Sequence, residues 1–150
     1  YVKFGASGYE PVPGDYDGDG KTDIAVYGTS NGYWYILSSS AYELSYVKFG
    51  DSGYSPVAAD YDGDGQADLA VYHESTGYWY ILLSSTYELS YAKFGATGYE
   101  PVQGDYDGDG QADLAVYHEE TGYWYMLLSE TGTISYMQFG GPGYAPVGGS

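Results

Sequence analysis

Three nine-residue stretches carry most of the chemistry this sequence could perform. The first is Asp15-Tyr16-Asp17-Gly18-Asp19-Gly20-Lys21-Thr22-Asp23, and closely related stretches begin at Asp60 and Asp105. Carboxylates fill positions 1, 3, 5 and 9: Asp15, Asp17, Asp19 and Asp23, then Asp60, Asp62, Asp64 and Asp68, then Asp105, Asp107, Asp109 and Asp113. Four carboxylates this close repel one another severely unless a cation sits among them. Oxygen donors with no His or Cys select a hard ion, and their number suits Ca²⁺, which takes about six to eight oxygens. The backbone carbonyl at position 7 (Lys21, Gln66, Gln111) would add a ligand, and the glycine at position 6 permits the sharp turn around an ion. Mg²⁺ fits less well, because it keeps its water and demands stricter octahedral geometry. The expectation is about one Ca²⁺ per full repeat.

Other chemistries explain these residues less well. An EF-hand needs a bidentate Glu at its twelfth position, where this chain has Val26, Val71 and Val116, and it needs flanking helices where Ile24-Ala25-Val26-Tyr27 is strand-like. An acidic turn held by Asx hydrogen bonds needs no metal, but it gives no reason for repeating all four carboxylates three times. Paired catalytic carboxylates are unnecessary once ligation accounts for them. The Asp-Gly-Asp-Gly glycines make no phosphate site, since the adjacent carboxylates would repel the phosphate. No Ser/His/Asp grouping, nucleophile elbow or phosphate loop is recognisable, so no catalytic residue is assigned and the chain is expected not to be an enzyme. His73 and His118 follow a strand end and are expected to be solvated polar residues.

The elements that position these loops repeat with them. The period is 45 residues, and Tyr-x-Lys-Phe-Gly opens at Tyr1, Tyr46 and Tyr91, with a variant at Tyr136. The array divides into residues 1–45, 46–90 and 91–135, with a partial fourth repeat at 136–150 and neither linker nor second domain. Within a repeat, Leu69–Tyr72 and Tyr78–Leu83 are β-branched and aromatic runs joined by the polar hairpin His73–Gly77, and Tyr87–Phe94 is a further strand. A short extended segment before the acidic loop makes four strands per repeat, and no window has helical periodicity. Side chains alternate along a strand, so Tyr78 and Tyr80 face one way, Trp79 and Ile81 the other, and both faces are apolar. A sheet with one wet face would have one polar row. The fold class expected is therefore all-β: tandem four-stranded antiparallel blades of the β-propeller type, three full and one partial. Three blades close only by self-association, or they belong to an open or longer array.

Composition narrows the function classes. The 150 residues carry a formal net charge of −17, with 4 Lys+Arg against 21 Asp+Glu, so a nucleic acid would be repelled everywhere. The hydrophobic content of 43% excludes a disordered acidic tail. No apolar run is long enough for a membrane-spanning helix, and with no Cys there is no disulfide framework. The chain opens at Tyr1 with neither an initiator Met nor a signal peptide, as expected of a mature fragment or a window of a longer array.

Together these residues resemble a known family. Phe4-Gly5-Ala6-Ser7-Gly8-Tyr9-Glu10-Pro11, then Val12-Pro13-Gly14 and the first acidic loop through Tyr27, is similar to the FG-GAP (VCBS-like) repeat. The likeness covers essentially the whole chain, three times over. It implies a loop that joins the first two strands of a blade and binds Ca²⁺ through the positions named above. Related repeats build the propeller of integrin α subunits and occur in many bacterial secreted proteins. Those propellers have about seven blades, and three cannot close a ring.

The functional expectation is a non-enzymatic, extracellular repeat scaffold stabilised by calcium, structural or adhesive, assembling into a filament or larger propeller array. Secretion or display at the cell surface follows because extracellular calcium modules bind at about 10⁻⁴ to 10⁻³ M and fill only outside cells. The partner expected is a second copy, as homo-oligomer or filament, or a continuation of the array, since apolar end faces would otherwise be bare. The alternative is a lectin-like propeller with a glycan or protein partner. In that case Tyr33, Trp34 and Tyr35, and the matching runs at 78–80 and 123–125, would stack on sugars, although core packing is the commoner use of such residues.

Overall fold

A computed structural model of the chain describes residues 1 and 3–147, and every regular element among them is a β-strand. The first sheet contains β1 (Tyr9–Pro11), β2 (Ile24–Gly28), β3 (Tyr33–Leu37) and β4 (Leu44–Lys48). The second contains β5 (Tyr54–Pro56), β6 (Leu69–His73), β7 (Tyr78–Leu82) and β8 (Leu89–Lys93). The third contains β9 (Tyr99–Pro101), β10 (Leu114–His118), β11 (Tyr123–Leu127) and β12 (Ile134–Gln138). Each is a simple antiparallel meander in chain order, and among the described residues no sheet closes on itself. β4 crosses from the first repeat into the second, and β8 from the second into the third, so neighbouring blades are interleaved along the chain. The third long strand of each repeat is shorter than its sequence suggests. Tyr87 takes a left-handed backbone (φ 58°) in the turn before β8, as Tyr42 (φ 56°) does before β4.

Blades pack through unlike faces. Ala25, Tyr27, Trp34 and Ile36 of the first sheet meet Tyr54, Leu69, Val71 and Tyr80 of the second. Ala70, Tyr72, Trp79 and Ile81 of the second sheet in turn meet Tyr99, Leu114, Val116 and Tyr125 of the third. This is why both middle strands are apolar on both faces: one row packs on the preceding blade and the other on the following one. Trp34 and Trp79 are fully buried, whereas Trp124, which has no complete sheet beyond it, is half-buried. The Tyr-Trp-Tyr runs therefore serve as blade core.

The Phe-Gly phrase joins one blade to the next. The indole Nε1 groups of Trp34, Trp79 and Trp124 donate to the carbonyls of Phe49, Phe94 and Phe139, each at 2.7 Å. The Tyr27 hydroxyl donates to the Asp51 carbonyl (3.1 Å). A Cβ at Gly50 (φ 124°) would collide with that tyrosine ring and hydroxyl, and Gly95 against Tyr72 and Gly140 against Tyr117 repeat the arrangement. Glycine is thus required there for a positive φ and a close approach together.

The inner strands β1, β5 and β9 line one cleft of about 1250 Å³. Glu10, Glu74, Glu100 and Glu119 border it, and burial pushes the Glu10 and Glu100 carboxyls above the usual range, with a neighbouring glutamate adding to each. His73 and His118 are not freely solvated. Each is half-buried against a tyrosine ring (Tyr54 at 4.5 Å, Tyr99 at 4.7 Å), with Nδ1 bound to the Thr76 or Thr121 hydroxyl, because the hairpin folds the imidazole back over β5 or β9.

Trp79→Ala is expected to lower the unfolding free energy by about 3–5 kcal/mol, the usual cost of emptying a buried aromatic site. Trp124→Ala is expected to cost clearly less, and urea denaturation of both variants measures the difference.

Candidate metal centre

Each acidic loop connects the first two strands of its blade. An isolated bridge closes its base, pairing Gly14 with Asp23, Ala59 with Asp68 and Gly104 with Asp113. Inside the loop, carboxylates hold the backbone in a tight coil. Asp15 accepts from the amides of Gly18 (2.7 Å) and Gly20 (2.8 Å), Asp17 from Asp19 (3.1 Å), and Asp19 from Lys21 (2.8 Å). Asp60, Asp62 and Asp64 repeat these bonds, as do Asp105, Asp107 and Asp109. The coil passes through Gly20, Gly65 and Gly110 at φ 84°, 89° and 92°, where a residue with a Cβ would be strained.

The carboxylates at position 9 differ from the rest. Asp23, Asp68 and Asp113 are essentially inaccessible to solvent. One oxygen of Asp68 accepts from the Tyr61 amide (2.8 Å), and the other accepts from the Ser84 amide (2.7 Å) in the β7–β8 connection. Asp23 bridges Tyr16 and Ser39 in the same way, and Asp113 bridges Tyr106 and Ser129. This carboxylate ties the acidic loop to the turn at the far side of the blade. Burial pushes the Asp68 carboxyl above its ordinary range, against the lowering effect of those hydrogen bonds.

Two further sets of residues, neither of them carboxylates, serve the site. Serines of the β3–β4 type of turn reach over the loop: Ser40 Oγ donates to Asp17 (2.5 Å), Ser85 Oγ to Asp62, and Ser84 Oγ to Asp64 (3.1 Å). The Ser40 hydrogen bond holds the Asp17 carboxyl below its ordinary range. The tyrosine at position 2 braces the loop, with Tyr16, Tyr61 and Tyr106 donating their hydroxyls to the carbonyls of Val12, Val57 and Val102. The tyrosines and the serines at 39, 84 and 129 recur in register with the aspartates, which is the signal that could have found them, whereas Ser40 and Ser85 give way to Glu130 in the third repeat.

The donor set fits a hard cation. Carboxylate oxygens of Asp15, Asp17 and Asp19 lie within 4.8 Å of one another, as do those of Asp60, Asp62 and Asp68, and of Asp105, Asp107 and Asp113. All three loops thus bring together the sequence-nominated residues at positions 1 and 3, the first loop adding position 5 and the others position 9. The one lysine in a loop, Lys21, reaches Asp19 at 3.6 Å with a largely exposed side chain, and Gln66 and Gln111 stand at that position in the other loops. A surface pair of this kind contributes little, so three oxygen-rich clusters capable of holding a metal ion remain.

Asp68→Ala is expected to destabilise the protein by at least about 2 kcal/mol, because two amides lose their acceptor and each costs roughly 1–3 kcal/mol when left unsatisfied. The loss should appear in urea denaturation with chelator present as well as with calcium, since both hydrogen bonds are to protein.

No curated protein and no solved structure matches the chain. A family model described as FG-GAP-like repeat matches residues 15–71, from the first residue of the first acidic loop into β6 of the second blade. Two of the three oxygen-rich loops lie inside that match, so residues 15–71 are similar to an FG-GAP-like repeat, and the third loop repeats the same aspartate pattern in a third four-stranded blade.

Proposed function

We propose that the protein is a non-enzymatic extracellular scaffold whose blades are stabilised by calcium, one ion in each acidic loop. The observation that carries this reading is the convergence of oxygen donors at each loop, made three times in one chain. Asp15, Asp17, Asp19 and Asp23 would hold the first ion with the Lys21 carbonyl. Asp60, Asp62, Asp64 and Asp68 with Gln66, and Asp105, Asp107, Asp109 and Asp113 with Gln111, would hold the others. A bound ion offsets the repulsion among the carboxylates, so its binding free energy becomes folding free energy. Affinities typical of extracellular modules would keep the sites filled outside cells. Removing calcium with a chelator is expected to lower the melting temperature sharply and restoring it to recover the melt, while an unchanged melt after exhaustive chelation would refute the ion. Asp62→Ala, in saturating calcium, is expected to weaken the second blade most, seen as early loss of amide protection in β5 to β8.

The scaffold reading extends to assembly. Ile24 on the outer face of the first blade is 45% exposed, whereas its counterpart Leu114 is 9% exposed beneath the preceding blade. At the other end Phe139 is 76% exposed, whereas Phe49 and Phe94 pack between blades. These two surfaces are the two halves of the internal blade interface, so each suits a further blade of the same kind, from a second copy or from a continuing array. Such a head-to-tail contact propagates, giving a filament or a larger array. Sedimentation of residues 1–150 should show association that Ile24→Lys abolishes while leaving the melt unchanged.

A second reading, a glycan- or protein-binding module, draws on Tyr42 and Tyr87. Both rings are more than four-fifths exposed on left-handed backbone, where the third repeat has Gly132 (φ 66°). Strain of this kind gathers at binding sites.

A further inference from the structure

We infer that ion binding in neighbouring loops is positively coupled, through a contact in which position 8 of one loop supports position 1 of the loop before it. The inference rests on the calcium reading above and adds its regulation.

The loops touch. The Ala67 amide donates to the Asp15 carbonyl at 2.7 Å, and the Ala112 amide donates to the Asp60 carbonyl at 2.7 Å. Alongside each bond, the side chain at position 7 lies over the glycine at position 4 of the preceding loop. A Cβ on Gly18 would stand 2.8 Å from Gln66 Cγ, and one on Gly63 would stand 3.1 Å from Gln111 Cγ. Gly14 meets Ala67 in the same way, its Cβ position 3.1 Å from that of the alanine. Two consecutive residues of one loop thus brace the backbone that carries the first carboxylate of another.

The bracing residues are themselves fixed by their own loop's carboxylates. The Gln66 amide is bound by Asp64 (2.8 Å), and the Gln111 amide by Asp109 (2.7 Å). An ion in the second loop would be held by the converging carboxylates with the Gln66 carbonyl, which would order the peptide between Gln66 and Ala67. That peptide then holds the Asp15 carbonyl and covers Gly18, so the first loop has less ordering left to do when its own ion arrives. Ordering shared between two sites is positive cooperativity without any change of fold. Linkage makes the effect reciprocal: filling the first loop tightens the second by the same factor. The first and third loops share neither contact, so the middle loop relays between them.

The test is a calcium titration of the full chain followed by NMR, with the amides of Gly20, Gly65 and Gly110 reporting the three loops separately. In the parent, the three should titrate together with a Hill coefficient above one. Asp62→Ala disables the middle loop, and the Gly20 and Gly110 loops are then expected to bind on the order of tenfold more weakly and independently, within the usual range of coupling between sites. Gln66→Ala keeps every carboxylate and the position-7 carbonyl but removes the cover over Gly18. It should reduce the coupling of the first loop to the second while leaving that of the second to the third intact, which holds the inference open to test if Asp62→Ala disturbs its blade. Three loops that bind calcium independently in the parent would overturn the coupling alone. So would unchanged affinities at Gly20 and Gly110 in Asp62→Ala, or undiminished first-to-second coupling in Gln66→Ala. No calcium binding by the parent would overturn the ion reading, and the coupling with it.

Discussion

The structure depends on a buried carboxylate that accepts two backbone amides from opposite sides of a blade. Asp23, Asp68 and Asp113 each hold the acidic loop with one oxygen and the far turn with the other. Burying a carboxylate is costly unless its oxygens are satisfied, and here satisfaction requires that the loop and the turn be in place together. The same bonds bring the serines of the turn within reach of the other loop aspartates. One residue per repeat therefore couples the formation of the sheet to the shape of the acidic loop.

The order of the fold follows from unlike faces. Each blade carries a row centred on a tryptophan and a row centred on tyrosines, and the first packs on the second of the next blade. The Phe-Gly joint fixes the spacing, since the indole and the tyrosine hydroxyl both bond to carbonyls of the linking segment. Apolar area supplies the attraction, while the directional hydrogen bonds and the glycine select a single register. A blade interface of this kind is polar at its edge and apolar at its centre, and each one hands its orientation to the next.

Much of this was legible in the residues. Period, strand count and the apolar nature of both faces come directly from Leu69–Tyr72 and Tyr78–Leu83, because alternation exposes the two rows. The clustering of the loop aspartates was legible because charge crowded at fixed spacing has few physical explanations. The division of labour within the loop was not, since nothing in a one-letter pattern distinguishes the exposed Asp64 from the buried Asp68; only the position of the far turn does that. Ser40, Ser84 and Ser85 lie outside the acidic motif, about twenty residues away in sequence, so only the 45-residue recurrence of such serines pointed to them. Tyr87 reads as the start of a strand by its side chain, but the turn before β8 imposes a left-handed backbone there. The histidines read as solvated because their tyrosine partners lie on another strand.

The interleaving of sheet and repeat has a genetic counterpart. Because β4 and β8 straddle the sequence boundaries and every joint is built from the same pair of surfaces, excising or inserting one whole period at any cut point leaves each remaining strand with an equivalent neighbour. Unequal recombination between such similar stretches of coding sequence would thus alter only how many blades are strung together, and leave the pitch from one to the next untouched.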